Sequence, residues 1–163
     1  MAELLDPTEI MYTAFEPHQS QRFIMYVEGI PSYLIKMADK PKLATTAVTL
    51  DHINIERKVK GKSRWQDVTI TMYDAIVPST AQATMEWVRL GHESVTGRDG
   101  YSDFYKKDIV LNSLGPVGDK TQEWTLKGAQ PINVDFGAGD WSSDGEVVNI
   151  AVTLAIDYAI LQY

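Results

Sequence analysis

Few residues in this chain are suited to catalysis or metal binding. The three histidines, His18, His52 and His92, are dispersed along the sequence, and there is no cysteine. His52 and Glu56 are four residues apart, but on a strand this spacing separates two side chains by about 13 Å, too far to share a metal ion. The sequence therefore predicts no catalytic, cofactor-binding or metal-binding residue, and the chain is not expected to be an enzyme.

The glycine-rich and acidic segment near the C-terminus does not match a ligand-binding motif. GAGD at 137–140 is not expected to follow a parallel strand or to open a helix, as a phosphate-binding loop would. Asp140, Asp144 and Glu146 lack the spacing of a calcium loop. We interpret the segment as a turn-rich connection.

Charge is unevenly distributed along the chain. The net charge is −7, yet residues 36–64 contain eight basic and three acidic residues. From Gly128 to the end there are five acidic residues and neither lysine nor arginine. This segregation is typical either of a solvated surface or of self-complementary contacts, in which a basic edge of one copy meets an acidic edge of another.

Alternating and apolar segments predict a mainly β protein. Strands are expected in RFIMYVEG (22–29), SYLIKMA (32–38), HINIERKV (52–59), WQDVTITMYD (65–74), KKDIVLNSL (106–114) and TQEWTLKG (121–128). HINIERKV is expected to be half-buried, with Ile53, Ile55 and Val59 on one face. Residues 1–20 are interpreted as an irregular N-terminal arm, and 39–50 as an extended loop excursion. AQPINVDFGAGDWSSDG (129–145) is expected to be turns.

One long helix is predicted at about residues 79–91. Ser79 and Gln82 fit a capping box at its start, and Gly91 is placed to end it in a left-handed conformation. An apolar stripe with Trp87 should pack on a sheet. Together these elements predict a single domain over residues 1–163, an antiparallel β-sandwich or barrel with one flanking helix.

The run EVVNIAVTLAIDYAI, residues 146–160, combines a bulky face with a smooth one. The bulky set alternates with small or polar residues, so one face of a strand should enter the core. The large members are Val148, Ile150, Val152, Leu154, Ile156 and Tyr158, and the small or polar ones are Asn149, Ala151, Thr153, Ala155 and Asp157.

In this order the elements resemble the tail tube proteins of contractile-tailed bacteriophages. The resemblance is carried by WQDVTITMYDAIVPSTAQATMEWV, by EWTLKGAQPINVDFGAGDW and by NIAVTLAIDY. Gln130 departs from the family, which often has an aromatic residue before the proline. The resemblance implies a structural protein that forms hexameric rings, which stack into a tube through which DNA passes from the virion. It also implies assembly in the host cytoplasm, and sheath, tape measure and baseplate initiator proteins as partners.

The resemblance suggests roles for two sets of residues. A lumen lined by small, neutral or acidic side chains would let DNA slide, because tight binding needs lysine and arginine at the phosphates. Asn149, Thr153 and Asp157 are the lumen candidates. The candidates for contacts between subunits or rings are Lys40, Lys42, Arg57, Lys58, Lys60, Lys62 and Arg64.

Two alternatives to a phage tube remain open. The inner tube of a type VI secretion or other contractile injection system is related in fold and carries effectors instead of DNA. A monomeric β-sandwich module, for example for carbohydrate, would instead show an exposed aromatic groove. No apolar run approaches the ~20 residues needed to span a bilayer, and the sequence begins without the basic and apolar pattern of a signal peptide.

Overall fold

A computed structural model describes residues 15–163 as nine strands and two helices. The helices are α1 (Thr80–Gly91) and the short α2 (Ser102–Tyr105), and a single 3-10 turn covers Ser32–Leu34. The strands are β1 (Phe23–Tyr26), β2 (Ile35–Ala38), β3 (Leu43–His52), β4 (Ile55–Trp65), β5 (Val68–Tyr73), β6 (Lys107–Leu114), β7 (Lys120–Asp135), β8 (Asn149–Ala155) and β9 (Tyr158–Leu161).

Seven of the strands form one antiparallel sheet that folds over on itself. Its path is β1-β6-β7-β8-β5-β2, and β9 adds to β7. The 16-residue β7 joins the two layers, because its first part pairs with β6 and β9 while its last part pairs with β8. Gly128 lies at the change of partner with φ +66°, a backbone conformation that favours glycine. The prediction of a mainly β fold with one flanking helix is confirmed.

The core lies between the two layers and follows the two-residue period of the strands. From β8, Ile150, Val152 and Leu154 are at most 1 % exposed. They pack with Val68, Ile70 and Met72 of β5 and with Met25, Ile109, Leu111 and Leu126 from the other layer. The predicted inward faces of 68–72 and 150–154 are therefore confirmed.

Helix α1 begins where the sequence indicated. The Ser79 side chain accepts a hydrogen bond from the Gln82 backbone N–H at 3.3 Å, and Trp87 is buried. The predicted left-handed end at Gly91 is wrong, because Gly91 stays helical and His92, in extended conformation, caps the helix through its N–H to the Val88 carbonyl. The most buried stripe contains Thr80 and Thr84 besides Trp87.

Three other local predictions need correction. The segment 43–52 is a strand and not a loop, because its backbone pairs with that of β4 in an antiparallel register. Residues 129–135 continue β7 through Pro131, where an irregular register accommodates the missing N–H. The run 146–160 is two strands, β8 and β9, so Val148 and Tyr158 lie outside the buried face and are partly exposed.

The predicted N-terminal arm falls mostly outside the described residues. Its described portion, residues 15–20, contains neither helix nor strand. Within residues 15–163, no helix has the length and apolar character required to cross a bilayer.

Candidate assembly surfaces

The hairpin β3–β4, residues Leu43–Trp65, projects from the folded sheet and is almost entirely exposed. Its two strands pair with each other and with no other strand among residues 15–163. Every residue of β3 is exposed, and so is all of β4 apart from Gly61 and Trp65, which are half-buried. The prediction that 52–59 is half-buried is wrong. Ile53 also leaves the predicted face, because it forms the hairpin turn with φ +53° and is exposed.

Cross-strand pairing gives the hairpin two different faces. Val48 lies opposite Val59, and Leu50 lies opposite Arg57. This face also contains Ile55, and Arg57 lies among its aliphatic side chains. Its four large aliphatic side chains are each between 43 % and 69 % exposed, namely those of Val48, Leu50, Ile55 and Val59. Lys58 and Lys60 lie opposite Thr49 and Ala47 on the other face, which also carries the acidic pair Asp51 and Glu56. An isolated two-stranded ribbon is at best marginally stable in water, so these faces are suited to a partner.

A bulge at Gly61 sets the register of the hairpin. The pairing shifts between Thr45 and Ala47 because β4 contributes one residue more than β3 there. A Cβ atom at Gly61 would lie 2.6 Å from Thr46 Oγ1 and 2.8 Å from the Thr46 carbonyl oxygen, so only glycine fits. Beyond the bulge, the Thr45 and Ser63 hydroxyls form a hydrogen bond of 2.8 Å.

Most of the basic contact candidates project from this hairpin. None of the five on β4 forms an ion pair within 4 Å with another described residue. The five are Arg57, Lys58, Lys60, Lys62 and Arg64. Lys40 and Lys42 precede β3, and Lys40 Nζ donates a 2.9 Å hydrogen bond to Gln122 Oε1 on β7. The structure thus gathers the basic candidates on one projecting ribbon and its base.

The smooth face of β8 carries small or polar side chains, and it includes two of the three lumen candidates. Asn149 pairs with Tyr73, and Thr153 lies between Thr69 of β5 and Asn133 of β7. Ala151 lies between Thr71 of β5 and Asp135 of β7, so the neighbouring strands add polar and acidic side chains to this face, with Tyr73 at one end.

Asp157 does not join the other two candidates. It lies after the end of β8 and accepts two 3.0 Å hydrogen bonds from Lys106 Nζ. Its N–H donates to the Lys127 carbonyl oxygen at 3.0 Å, and its carboxylate contacts Gly128 at the bend of β7. This ion pair across 51 residues is not visible in local sequence patterns.

The described histidines have separate surroundings. His92 Nδ1 lies 2.8 Å from an Asp99 oxygen, and His18 Nδ1 lies 3.2 Å from the Thr121 hydroxyl. His52 is exposed near the tip of the hairpin. No group of three or more potential metal ligands occurs in the part of the chain that the structure describes.

Comparison with known proteins agrees with this architecture. No family model matches the chain. The chain is 25 % identical over 146 residues to the tail tube protein gp19 of Enterobacteria phage T4, covering 87 % of this chain and 88 % of that protein. The corresponding protein of phage T6 is 24 % identical over the same shares. The resemblance to contractile tail tube proteins is confirmed.

Solved structures extend the tail-tube fold beyond phages. The anti-feeding prophage cap, which terminates a tube, matches 97 % of this chain and 99 % of its own with a TM-score of 0.73 and 17 % identity. A sheath-tube complex of an extracellular contractile injection system matches 90 % and 91 % with a TM-score of 0.70 and 19 % identity. Hcp1 from Flavobacterium johnsoniae matches 86 % and 94 % with a TM-score of 0.54 and 14 % identity.

Proposed function

We propose that the chain is a structural subunit that assembles with copies of itself into hexameric rings, and that these rings stack to form the inner tube of a contractile tail. The observation that carries the proposal is the hairpin β3–β4. It projects from a tail-tube fold with an aliphatic face and five basic side chains that form no ion pair with a described residue, and no other strand in residues 15–163 pairs with it. A neighbouring subunit that covers the aliphatic face would supply the burial that the hairpin lacks.

The edges of the folded sheet support closed assembly. Strands β1, β2 and β9 each pair with only one strand within the described range. Open edges present unpaired backbone groups to other chains, and closure into a ring removes them. Contacts between different surfaces of successive copies generate a ring when the rotation closes and a filament when it does not.

For the lumen, we assign the smooth face of β8, with Asn149 and Thr153, as the lining. No basic residue occurs in β8, so this face would not hold a passing nucleic acid through its phosphates. Double-stranded DNA would then pass without tight or sequence-specific binding. A ring reconstruction with Thr153 toward the channel would support this assignment, and one with Val152 toward the channel would contradict it.

The same proposal places the protein in the virion tail after assembly in the host cytoplasm. A sheath protein outside the tube, a tape measure protein inside it and a baseplate initiator below it are the expected partners. The structural match to a sheath-tube complex supports the first of these.

Charge reversal of three hairpin lysines tests the proposal. Replacing Lys58, Lys60 and Lys62 together by glutamate is expected to suppress polymerisation, because the reversed charge would oppose the contact that these lysines make. All three side chains are exposed, so the fold should be unchanged. Negative-stain electron microscopy of the purified proteins would count rings and tubes, and circular dichroism would check the fold.

The outcome is informative in each direction. Tubes from the wild-type chain and none from the triple variant would support the proposal. Normal tubes from the triple variant would show that the hairpin lysines take no part in the contact. A wild-type chain that stays monomeric at high concentration would contradict self-assembly and favour a binding module.

A second candidate function is the inner tube of a contractile injection system that delivers proteins instead of DNA. The specific observation that favours it is the structural match to proteins of an extracellular contractile injection system over 90–93 % of the chain. Mass spectrometry of tubes isolated from the native source would identify either phage capsid proteins or a set of effector proteins.

A further inference from the structure

One exposed tryptophan lies at the tip of the loop between β7 and β8. We call residues 136–148 the Trp141 loop. The side chain of Trp141 is 106 % exposed, as open to solvent as in an isolated peptide. Large aromatic side chains are usually enclosed, since burying an indole removes on the order of 150–250 Å² from water. Tryptophan is also among the residues that dominate binding energy at protein interfaces.

Hydrogen bonds hold the turn that presents Trp141. Asp140 Oδ1 accepts bonds from the Ser142 backbone N–H at 2.9 Å and from the Ser142 hydroxyl at 2.7 Å. The Ser143 N–H donates to the Asp140 carbonyl oxygen at 3.2 Å. The hydrogen bonds from Ser142 lower the pKa of Asp140. An ordered turn loses less conformational entropy on binding than a loose one.

A groove with matching chemistry opens between the edge strands β1 and β2. It has a volume of about 550 Å³, within the range of ligand-binding clefts. Phe23, Met37 and Leu111 supply an apolar lining. Three basic residues also line it, Arg22, Lys36 and Lys40, and no acidic residue does.

The charges of the loop and the groove are complementary. The Trp141 loop has three acidic residues, Asp140, Asp144 and Glu146, and no basic one. Neither Lys36 nor Lys40 forms an ion pair within the described part of the chain. The loop presents an aromatic side chain among carboxylates, and the groove presents an apolar lining bordered by ammonium and guanidinium groups. The two surfaces are therefore complementary in apolar character and in charge.

The groove and the loop both adjoin strand β5, which runs from Val68 to Tyr73. Lys36 Nζ, in the groove, lies 5.6 Å from the centre of the Tyr73 ring. Ala38, in the groove, pairs with Ile70, and the Asp39 N–H donates to the Thr69 carbonyl oxygen. The Trp141 loop ends at Asn149, which pairs with Tyr73. Within one copy Trp141 stays fully exposed, so the loop does not fill the groove of its own chain.

We infer that the Trp141 loop of one copy docks into the β1–β2 groove of the next, with Trp141 in the apolar part and its acidic neighbours against Lys36 and Lys40. This contact joins two different surfaces and repeats from copy to copy. It deepens the proposed self-assembly and rests on it. It involves residues outside β3 and β4, with Lys40 at the base of the hairpin, so each subunit would hold its neighbours through a second contact.

Substitution of Trp141 tests the anchor. Trp141→Ala is expected to raise the critical concentration for assembly at least tenfold, and Trp141→Phe to raise it less, as measured by sedimentation and electron microscopy. The exposed side chain makes no contribution to the core, so the monomer should melt as the wild type does. Ile76→Ala, which removes another exposed apolar side chain, is the matched control and should assemble normally.

Charge exchange tests the pairing. Lys36→Glu with Lys40→Glu, and separately Asp144→Lys with Glu146→Lys, should each reduce assembly, and a chain with all four changes should recover part of it. A carbodiimide that joins carboxylates to amines without a spacer should link Lys36 or Lys40 to an acidic residue of the loop. In an equal mixture of ¹⁴N- and ¹⁵N-labelled protein, half of the linked peptides should then combine the two isotopes.

The results separate this inference from the proposed function. Tubes that form equally well with Trp141→Ala, or linked peptides that never combine the isotopes, would overturn the docking contact and leave the tube intact. A wild-type chain that forms no assembly at any concentration would instead overturn the tube.

Discussion

The sandwich and the hairpin β3–β4 are built from the same kind of strand and end in opposite environments. Leu154 on β8 is completely buried, whereas Leu50 on β3 is 50 % exposed. Both lie in alternating segments with β-branched neighbours. The difference lies in what faces them, because β8 has a second sheet layer beneath it and the hairpin has none within the described chain. Alternation thus specifies a strand with one apolar face, and it does not specify whether the same chain covers that face.

A matched pair of truncations gives the largest expected contrast between the two regions. Leu154→Ala should lower the free energy of unfolding by about 2–5 kcal/mol, because it leaves a cavity in a closed core. Leu50→Ala should change the stability of the monomer by about 0.5 kcal/mol or less, because the side chain is already half in water. Urea titration followed by circular dichroism, at a concentration below assembly, measures both.

The effects of the two truncations on assembly should not follow their effects on the stability of the monomer. Leu50→Ala is expected to reduce tube formation, since it removes part of the aliphatic face offered to a neighbour. Equal losses of monomer stability from the two truncations would show that the hairpin is packed in the free subunit. The hairpin and the sandwich would then not differ in how their apolar faces are covered.

Gly61→Ala should have a smaller and local effect. The added methyl group would overlap Thr46, so the bulge would have to open and the register of the hairpin would change. Hydrogen exchange should accelerate for amides of residues 43–65 while those of β5 and β8 keep their protection. Gly139→Ala is the control, since nothing lies within 4 Å of its added Cβ. Loss of protection in β5 would show that hairpin and sandwich unfold together.

The smallest effect is expected at an ion pair of the sandwich. Lys127 Nζ donates to Asp108 Oδ2 at 2.7 Å, and this hydrogen bond lowers the pKa of Asp108 below its usual value of 3.8. Because the folded pKa is depressed, the stabilisation is complete above the unfolded pKa and is lost as the pH falls through the folded pKa. Both side chains are largely hydrated, so the contribution is small.

Asp108→Asn should therefore lower the Tm slightly at pH 7, and the difference from the wild type should vanish in strong acid. Thermal melts at several pH values measure it. Asp144→Asn, which removes a carboxylate without an ion pair among residues 15–163, should leave the Tm unchanged. A difference at Asp108 that persists below the folded pKa would assign the effect to something other than charge.

Features that depend on neighbours in the sequence could be predicted well. The buried faces of 68–72 and 150–154 need only the period of a strand, and the Ser79 cap needs only residues three apart. The resemblance to tail tube proteins supplied the architecture that these local patterns do not determine.

Features that depend on distant partners could not be predicted. Asp157 was expected beside Asn149 and Thr153, but Lys106, 51 residues away, holds it beyond the end of β8. Continuation of β7 through Pro131 depends on an irregular register with β8. The alternation of 52–59 places Ile55 and Val59 on one face, but 39–50 is interpreted as a loop, so the contribution of Val48 and Leu50 to this face depends on the pairing of β3 with β4.

The exposed hairpin also bears on how fast tubes would start and grow. A ribbon without a core of its own must lose backbone freedom when it docks, at a cost of roughly 1–2 kcal/mol for each residue that becomes ordered. The first few subunits meet this cost before enough contacts exist to offset it, whereas a subunit that joins a finished end meets a surface already in place. Assembly should therefore show a lag that preformed ends abolish, so that growth begins where an initiating surface is present and free subunits remain in solution elsewhere.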